Sequence, residues 1–351
     1  MANYQRNHAS SGRVYHRSAK PRKGGARTFG ESADWSDYSG CEALYTNRLA
    51  DLLKCLRPMQ WVKNLLLLAA PFFAYFDRSQ AGGVFQRMIK ENPVALQETL
   101  GLAIVSFVLL SAASYVINDL CDVSGDRAHP VKQMRPIAAR KVSLSAAILL
   151  ATGCFAGGMS LAAWLGFSHG HRSFFYVCIA YSVLQFLYTF VARRIPDCGA
   201  ILLAIGFILR AVAGACIVEV TVSAWLILCV FFGAYFVALC KRRSLYFIKG
   251  FSATSAIEPR ILDFQIGIVA SVTIACYALY TLTERTIVCF GTDRLIYTLP
   301  LVLLGLFRYL RLTYQEQRAG IPEVLFLRDP LLLATGMLWL LACGLILSSV
   351  A

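Results

Sequence analysis

Residues 95–126 read "ALQETLGLAIVSFVLLSAASYVINDLCDVSGD". Positions 95–117 are almost wholly apolar, and at about 1.5 Å per residue such a run crosses a hydrocarbon core of about 30 Å. Asp119, Asp122 and Asp126 follow at once. A helix that leaves lipid and immediately presents three carboxylates is a membrane helix ending in a polar site. Working outward, eight more runs of bilayer-crossing length appear: 60–76, 142–166, 173–191, 199–218, 222–240, 263–283, 292–308 and 330–350. The first is short before Pro71 and carries Lys63 and Asn64 near its start. Hydrophobic residues make up 57% of the 351, and charged ones 15%. Soluble domains carry about 25% charged residues. The pattern predicts an all-α polytopic membrane protein of about nine transmembrane helices, with residues 49–351 as the membrane domain.

Charge placement sets the topology. Lys and Arg number eleven on the N-terminal side through Lys63, then five, two, five and four in segments 118–141, 192–198, 241–262 and 308–329. The alternate segments hold only Arg78, Arg87, Lys90, Arg172, Arg285 and Arg294, and Arg210 lies inside a span. Such asymmetry places the N-terminus and the longer, motif-bearing connections in the cytoplasm of a plasma-membrane protein. The net charge of +14 then reads as topology and attraction to anionic lipid, not as nucleic-acid binding. Residues 1–48 are polar, lack the apolar segment of a secretory signal and read as a disordered cytoplasmic tail, with "KPRKGGAR" at 20–27. The twelve cysteines contain no C-x-x-C pair and read as small apolar residues in helix packing.

Asp119, Asp122 and Asp126 are spaced i, i+3, i+7, which on a continuous helix puts three carboxylates on one face. Like charges so placed repel and need a cation. Carboxylate oxygens suit a hard ion, and Mg²⁺ commonly binds one or two carboxylates together with substrate phosphates. Asn118 adds a neutral oxygen or a donor. Gly125 and Pro130 are expected to break the helix, so that "HPVKQMRP" at 129–136 folds back and offers Lys132 and Arg135 to phosphate oxygens. A solvated charged loop outside the membrane is the bland alternative.

"NDLCDVSGD" resembles the first aspartate-rich motif of the UbiA superfamily of intramembrane prenyltransferases. The longer "NDLCDVSGDRAHPVKQMRPIAA" looks like its polyprenyl-phosphate (decaprenyl-phosphate) phosphoribosyltransferase branch. "LRPMQWVKNLLLLAAPFFA" at 56–74, "FILRAVAGACI" at 207–217, "ALCKRRSLY" at 238–246 and "FLRDP" at 326–330 are similar to further segments of that branch. The resemblance runs over about 50–340. It implies nine helices around a central cavity open to the cytoplasmic face, Mg²⁺ as cofactor, and 5-phosphoribosyl 1-diphosphate and polyprenyl phosphate as substrates. In that branch an aspartate is expected eleven residues before Arg210, where this chain has Gly199. Asp197, in "RRIPDCGA", is the acid left to serve a second metal position.

Other polar residues are weighed individually. Arg210 is costly in mid-membrane and must face a cavity or a partner, which makes it a phosphate-binding candidate or part of a structural ion pair. Lys63 and Asn64 either reach a phosphate or mark the interface by snorkelling. Lys241 and Arg242 are candidate phosphate ligands, and plain positive-inside charge accounts for at least one residue of the Lys241–Arg243 triplet. Tyr188 either hydrogen-bonds in the cavity or belongs to the aromatic belt. Phosphoribosyl transfer to a lipid phosphate, feeding cell-wall arabinan synthesis, is the reading that the resemblance favours. Prenyl transfer from a diphosphate to an aromatic acceptor shares the same metal chemistry. A transporter is the rival from another class, and charges grouped at one face instead of the midplane argue against it.

Overall fold

The computed structural model describes residues 48–78, 84–129, 132–192, 195, 197–246, 258–315 and 322–350. The tail expected at 1–48 lies, but for its last residue, outside the described residues. In chain order come α1 (Arg48–Cys55), a 3₁₀ helix (Pro58–Leu68), α2 (Ala69–Tyr75), α3 (Val84–Glu91), α4 (Pro93–Cys121), α5 (Val123–Ala128) and α6 (Leu144–Ser168). Next are α7 (Arg172–Phe190), α8 (Cys198–Val218), α9 (Ala224–Tyr246), α10 (Pro259–Leu282) and α11 (Glu284–Phe290). The last three are α12 (Leu299–Tyr314), α13 (Pro322–Arg328) and α14 (Pro330–Ser348). Eight helices are long and apolar enough to cross a membrane: α4, α6, α7, α8, α9, α10, α12 with the short 3₁₀ turn before it, and α14. They match eight of the nine apolar runs, and no strand occurs among the described residues.

The first run departs from expectation. It is not one α-helix but eleven residues of 3₁₀ helix followed by seven of α-helix. A 3₁₀ helix rises about 2.0 Å per residue and an α-helix about 1.5 Å, so the pair still spans about 32 Å. Its contacts fix its course. Arg57, just before it, meets Asp119 at the end of α4, and Asn64 meets Ser111, eight residues further back along α4. On its other side Asn64 meets Arg210 of α8, and the Leu67 carbonyl lies against Gly214. The run is therefore antiparallel to α4 and parallel to α8. A Cβ on Gly214 would sit 1.8 Å from the Leu67 oxygen, so only glycine permits this backbone approach.

Local sequence sets the helix ends. Asn92 and Ser143 accept from the backbone N–H groups of Ala95 and Ala146, and so cap α4 and α6. Asp329 caps α14 through the N–H of Leu332 and also pairs with Arg308. One core gathers α4, α6, α7, α8 and the 3₁₀ run around Phe107, Leu110, Leu165, Phe174, Tyr181 and Ile217. A second gathers α9, α10, α12, α13 and α14 around Phe236, Leu239, Leu262, Ile266, Tyr309 and Leu312. Helices α8 and α9 pack together and join the two, while Phe73 of α2 meets Phe290 and Trp339 at the far end. No disulfide joins cysteines among the described residues.

Candidate active site

Helix α4 ends at Cys121, and the chain turns at Asp122 (φ −100°, ψ 3°) before α5 resumes at Val123. The turn keeps the hydrogen-bond ladder, with Asp122 N–H on Asn118 O at 3.0 Å and Asp126 N–H on Asp122 O at 2.8 Å. The three aspartates thus follow one another across a bent helix rather than along one straight face. Gly125 lies inside α5, so the expected break there does not occur; the bend is at Asp122. Helix α5 stops at Ala128, and His129 is extended, as the residue before a proline must be.

The bend buries Asp119 and Asp126 and leaves Asp122 partly exposed. One nitrogen of Arg135, Nη1, donates to Asp119 Oδ1 at 2.8 Å and to Asp126 Oδ2 at 2.7 Å. Arg57 donates through Nη2 to the same Oδ1 of Asp119, and its guanidinium lies 5.4 Å from the Tyr115 ring centre, one turn back on α4. Lys132 Nζ stands 4.0 Å from Asp126 Oδ1. Burial and the neighbouring Arg135 lower the Lys132 pKa, while Asp126 and Asp122 pull it back up. Burial and Lys132 likewise lower that of His129. Three cations and three carboxylates therefore share one small region at the end of α4. Lys132 and Arg135, both expected there, are there. Arg135 contacts two carboxylates and stays partly exposed.

Deeper in the bundle lies a second polar network, built around one cation and neutral partners. Asn118 accepts from Thr189 of α7 at 2.6 Å. About 10 Å further along α4, Asn64 is fully buried between Ser111, to which it donates at 3.2 Å, and Arg210, from which it accepts at 2.9 Å. Arg210 also donates to Tyr181 Oη at 2.7 Å and to the Gly206 carbonyl at 2.8 Å, and lies 4.8 Å from the Tyr181 ring centre. Among the described residues no carboxylate pairs with it. Lys63 donates to Gln60 at 2.6 Å. Tyr188 is half-buried on α7, next to Thr189, while Arg193 and Arg194 beyond it lie outside the described residues.

A third group sits where α8 begins and α9 ends. Asp197 directly precedes α8 with a positive φ (φ 64°, ψ −37°), and Arg242 donates to its Oδ1 at 3.3 Å. Gly199, where the acid was expected, is one residue inside α8. Arg243 pairs with Asp263 and stacks 3.8 Å from Tyr314, which ties α9 to α10 and α12. Lys241 is half-buried beside them.

The acidic motif implies a divalent cation, and its residues can be tested for fit. Among the described residues no three His, Cys, Asp or Glu side chains close on a common metal position. Asp119 and Asp126 nonetheless converge on one cationic nitrogen. Two buried carboxylates that already converge on one cationic position fit a hard cation completed by phosphate oxygens and water. The central cavity open to the cytoplasmic face is an expectation of the sequence; residues 193–194, 247–257 and 316–321, in segments expected on that face, lie outside the described residues. A cavity does open at the opposite end, among Ala70, Phe73, Thr221, Ser223, Arg285 and Phe290.

Residues 88–329 match the model of the UbiA prenyltransferase family. The chain belongs to the UbiA prenyltransferase family. Among its UbiA relatives, decaprenyl-phosphate phosphoribosyltransferase from Mycobacterium tuberculosis is 29% identical over 85% of this chain and 94% of that protein. The Corynebacterium glutamicum protein of the same name is 34% identical over 66% of this chain and 68% of its own length. The fold resembles that of a UbiA homolog from Archaeoglobus fulgidus bound to GPP and Mg²⁺, with TM-score 0.59 and 21% identity over 85% of this chain and 99% of the other.

Within this UbiA chain, sequence reasoning passed over Arg57, Tyr115, Thr189 and Tyr181. Arg57 alone carried a signal, since it stands inside the family-like segment "LRPMQWVKN". The others look like ordinary members of apolar helices, and only their packing gives them polar partners.

Proposed function

We propose that this chain transfers the 5-phosphoribosyl group from 5-phosphoribosyl 1-diphosphate to a polyprenyl phosphate, decaprenyl phosphate being the first candidate, and releases diphosphate. The observation that carries this reading is the mixed-charge cluster at the bend after α4. Two buried carboxylates able to hold a cation stand among cations able to hold phosphates. The name shared by the M. tuberculosis and C. glutamicum relatives supports the choice of substrates. In the reaction an oxygen of the lipid phosphate bonds to ribose C1 as the C1–diphosphate bond breaks. Mg²⁺, when bound, supplies charge neutralisation for the leaving diphosphate. Asp119 and Asp126, with Asp122 beside them, hold that ion. Lys132, Arg135, Lys241 and Arg242 bind and orient phosphate groups, with Asn118 and Tyr188 as further polar contacts. No general base is needed, because the second pKa of a phosphate monoester is about 6 and the acceptor is already largely ionised at pH 7. Asn64 and Arg210 shape the floor beneath the site, and Lys63 lies at its edge. The site faces the cytoplasm of a plasma-membrane protein with nine crossings, the 3₁₀–α run making the first. The product would feed cell-wall arabinan precursors.

Prenyl transfer to an aromatic acceptor is the second reading, favoured by the GPP-bound A. fulgidus neighbour. Purified protein in detergent, given Mg²⁺, labelled phosphoribosyl diphosphate and decaprenyl phosphate, separates the two. Label should move to the lipid phase, and Asp122→Asn should abolish the transfer. Label that stays aqueous while a prenyl diphosphate and a hydroxybenzoate react would establish the second reading instead.

A further inference from the structure

We infer that Arg135 is a placeholder for the divalent cation: its guanidinium holds Asp119 and Asp126 together until metal displaces it, and the freed guanidinium then takes the diphosphate. The inference rests on the phosphoribosyl-transfer reading for the identity of the diphosphate, and on geometry for the rest. A single nitrogen of Arg135 lies between two carboxylates, 2.8 Å from one and 2.7 Å from the other. That nitrogen occupies the bridging position where one cation would neutralise both.

The two arginines at Asp119 are not equivalent. Arg57 touches Asp119 alone, beside the Tyr115 ring, and is anchored by its backbone at the start of the 3₁₀ run, where its carbonyl accepts from Gln60 N–H at 2.8 Å. Arg135 bridges α4 to α5. It springs from the connection after α5, directly behind the three-residue 3₁₀ turn Lys132–Met134, and its side chain is 29% exposed. Arg57 can stay when metal arrives; Arg135 cannot keep both bonds. Because both guanidinium and metal are cations, they compete for the carboxylate pair. A diphosphate relieves the competition by giving Arg135 another anion. Metal and diphosphate should therefore bind cooperatively, each favouring the other by the same factor.

The test measures Mn²⁺, an oxygen-seeking stand-in for Mg²⁺, by electron paramagnetic resonance on the full-length protein in detergent, without turnover. Wild type should bind Mn²⁺ weakly alone and at least tenfold more tightly with inorganic diphosphate. Arg135→Met should bind Mn²⁺ alone at least tenfold more tightly than wild type, with the diphosphate effect reduced to under threefold. Arg57→Met removes one charge from the same carboxylate without clearing the bridging position, so it should not reproduce the gain. An equal gain in Arg57→Met would assign the effect to net charge and overturn the inference. So would unchanged affinity in Arg135→Met that melts like wild type, or Mn²⁺ binding to neither protein. Arg135→Lys is the folding control: a single ammonium can still sit between the carboxylates, and wild-type behaviour is expected. The lipid-labelling assay judges the phosphoribosyl-transfer reading independently, because transfer can succeed with or without this competition.

Discussion

Asn64 and Arg210, 146 residues apart, meet at 2.9 Å in the interior of the bundle. Asn64 is fully buried and Arg210 is 4% exposed. Their bond joins the 3₁₀ run to α8, and the Asn64–Ser111 bond extends the link to α4. Truncating one partner leaves a buried polar group unsatisfied, which costs about 1–3 kcal/mol and more when the group is charged. Asn64→Leu should therefore destabilise the protein by at least about 2 kcal/mol. Arg210→Met should cost a similar amount, and the double variant less than the sum. Thermal unfolding in detergent measures all three, and strict additivity would show that the contact carries no coupling.

Gly214 offers a steric test of the same wall. Gly214→Ala would place a methyl 1.8 Å from the Leu67 backbone oxygen, which cannot rotate away. The 3₁₀ run must then leave α8, and a melting temperature lower by many degrees, or loss of folded protein, is expected. Gly233→Ala meets nothing within 4 Å and should be neutral or slightly stabilising. Equal melting of the two variants would contradict the close contact.

For Asp197 the prediction is a lesser part in the proposed reaction. It pairs with Arg242, whereas Asp119 and Asp126 share Arg135. Asp197→Asn should lower the rate of lipid labelling by less than Asp122→Asn does. Equal losses would mean that Asp197 serves as the acid absent from position 199.

His171, in the turn between α6 and α7, supplies a pH test away from the site. Its Nδ1 is buried without a hydrogen-bond partner among the described residues. Burial lowers its pKa, and the small effects of Glu219 and His169 oppose each other. The unfolded chain, with histidine near pH 6.5, then binds the proton more readily than the folded one. Stability from this group is full above about pH 6.5 and falls as the pH drops toward the folded pKa. His171→Asn should flatten the melting-temperature slope between pH 7.5 and 5.5. An unchanged slope would place the titration elsewhere.

Much of this was legible because lipid imposes strict rules. A run of apolar residues must form a helix to satisfy its backbone, so eight of the nine runs became long helices at nearly the expected places. The ninth, 60–76, had the composition but not the predicted form, since apolarity does not choose between α and 3₁₀ winding. The contact with Gly214 belongs to a residue 147 positions from Leu67, beyond any local pattern. The spacing of the aspartates foretold a carboxylate cluster but assumed a straight helix. The bend at Asp122 buries the first and third and leaves the middle one partly exposed.

By itself, then, the sequence determined the class of protein, the number of apolar runs, the charged end and the motif with its basic half. These follow from composition and short-range periodicity, which solvent and lipid read directly. Tertiary structure decided what each charge touches. Arg135 reached two aspartates, Arg57 came from a segment 62 residues before Asp119 to share the first of them, and Arg210 found neutral partners in place of a carboxylate. Electrostatics demands that a buried charge be answered. Which group answers it depends on the helices that packing brings side by side.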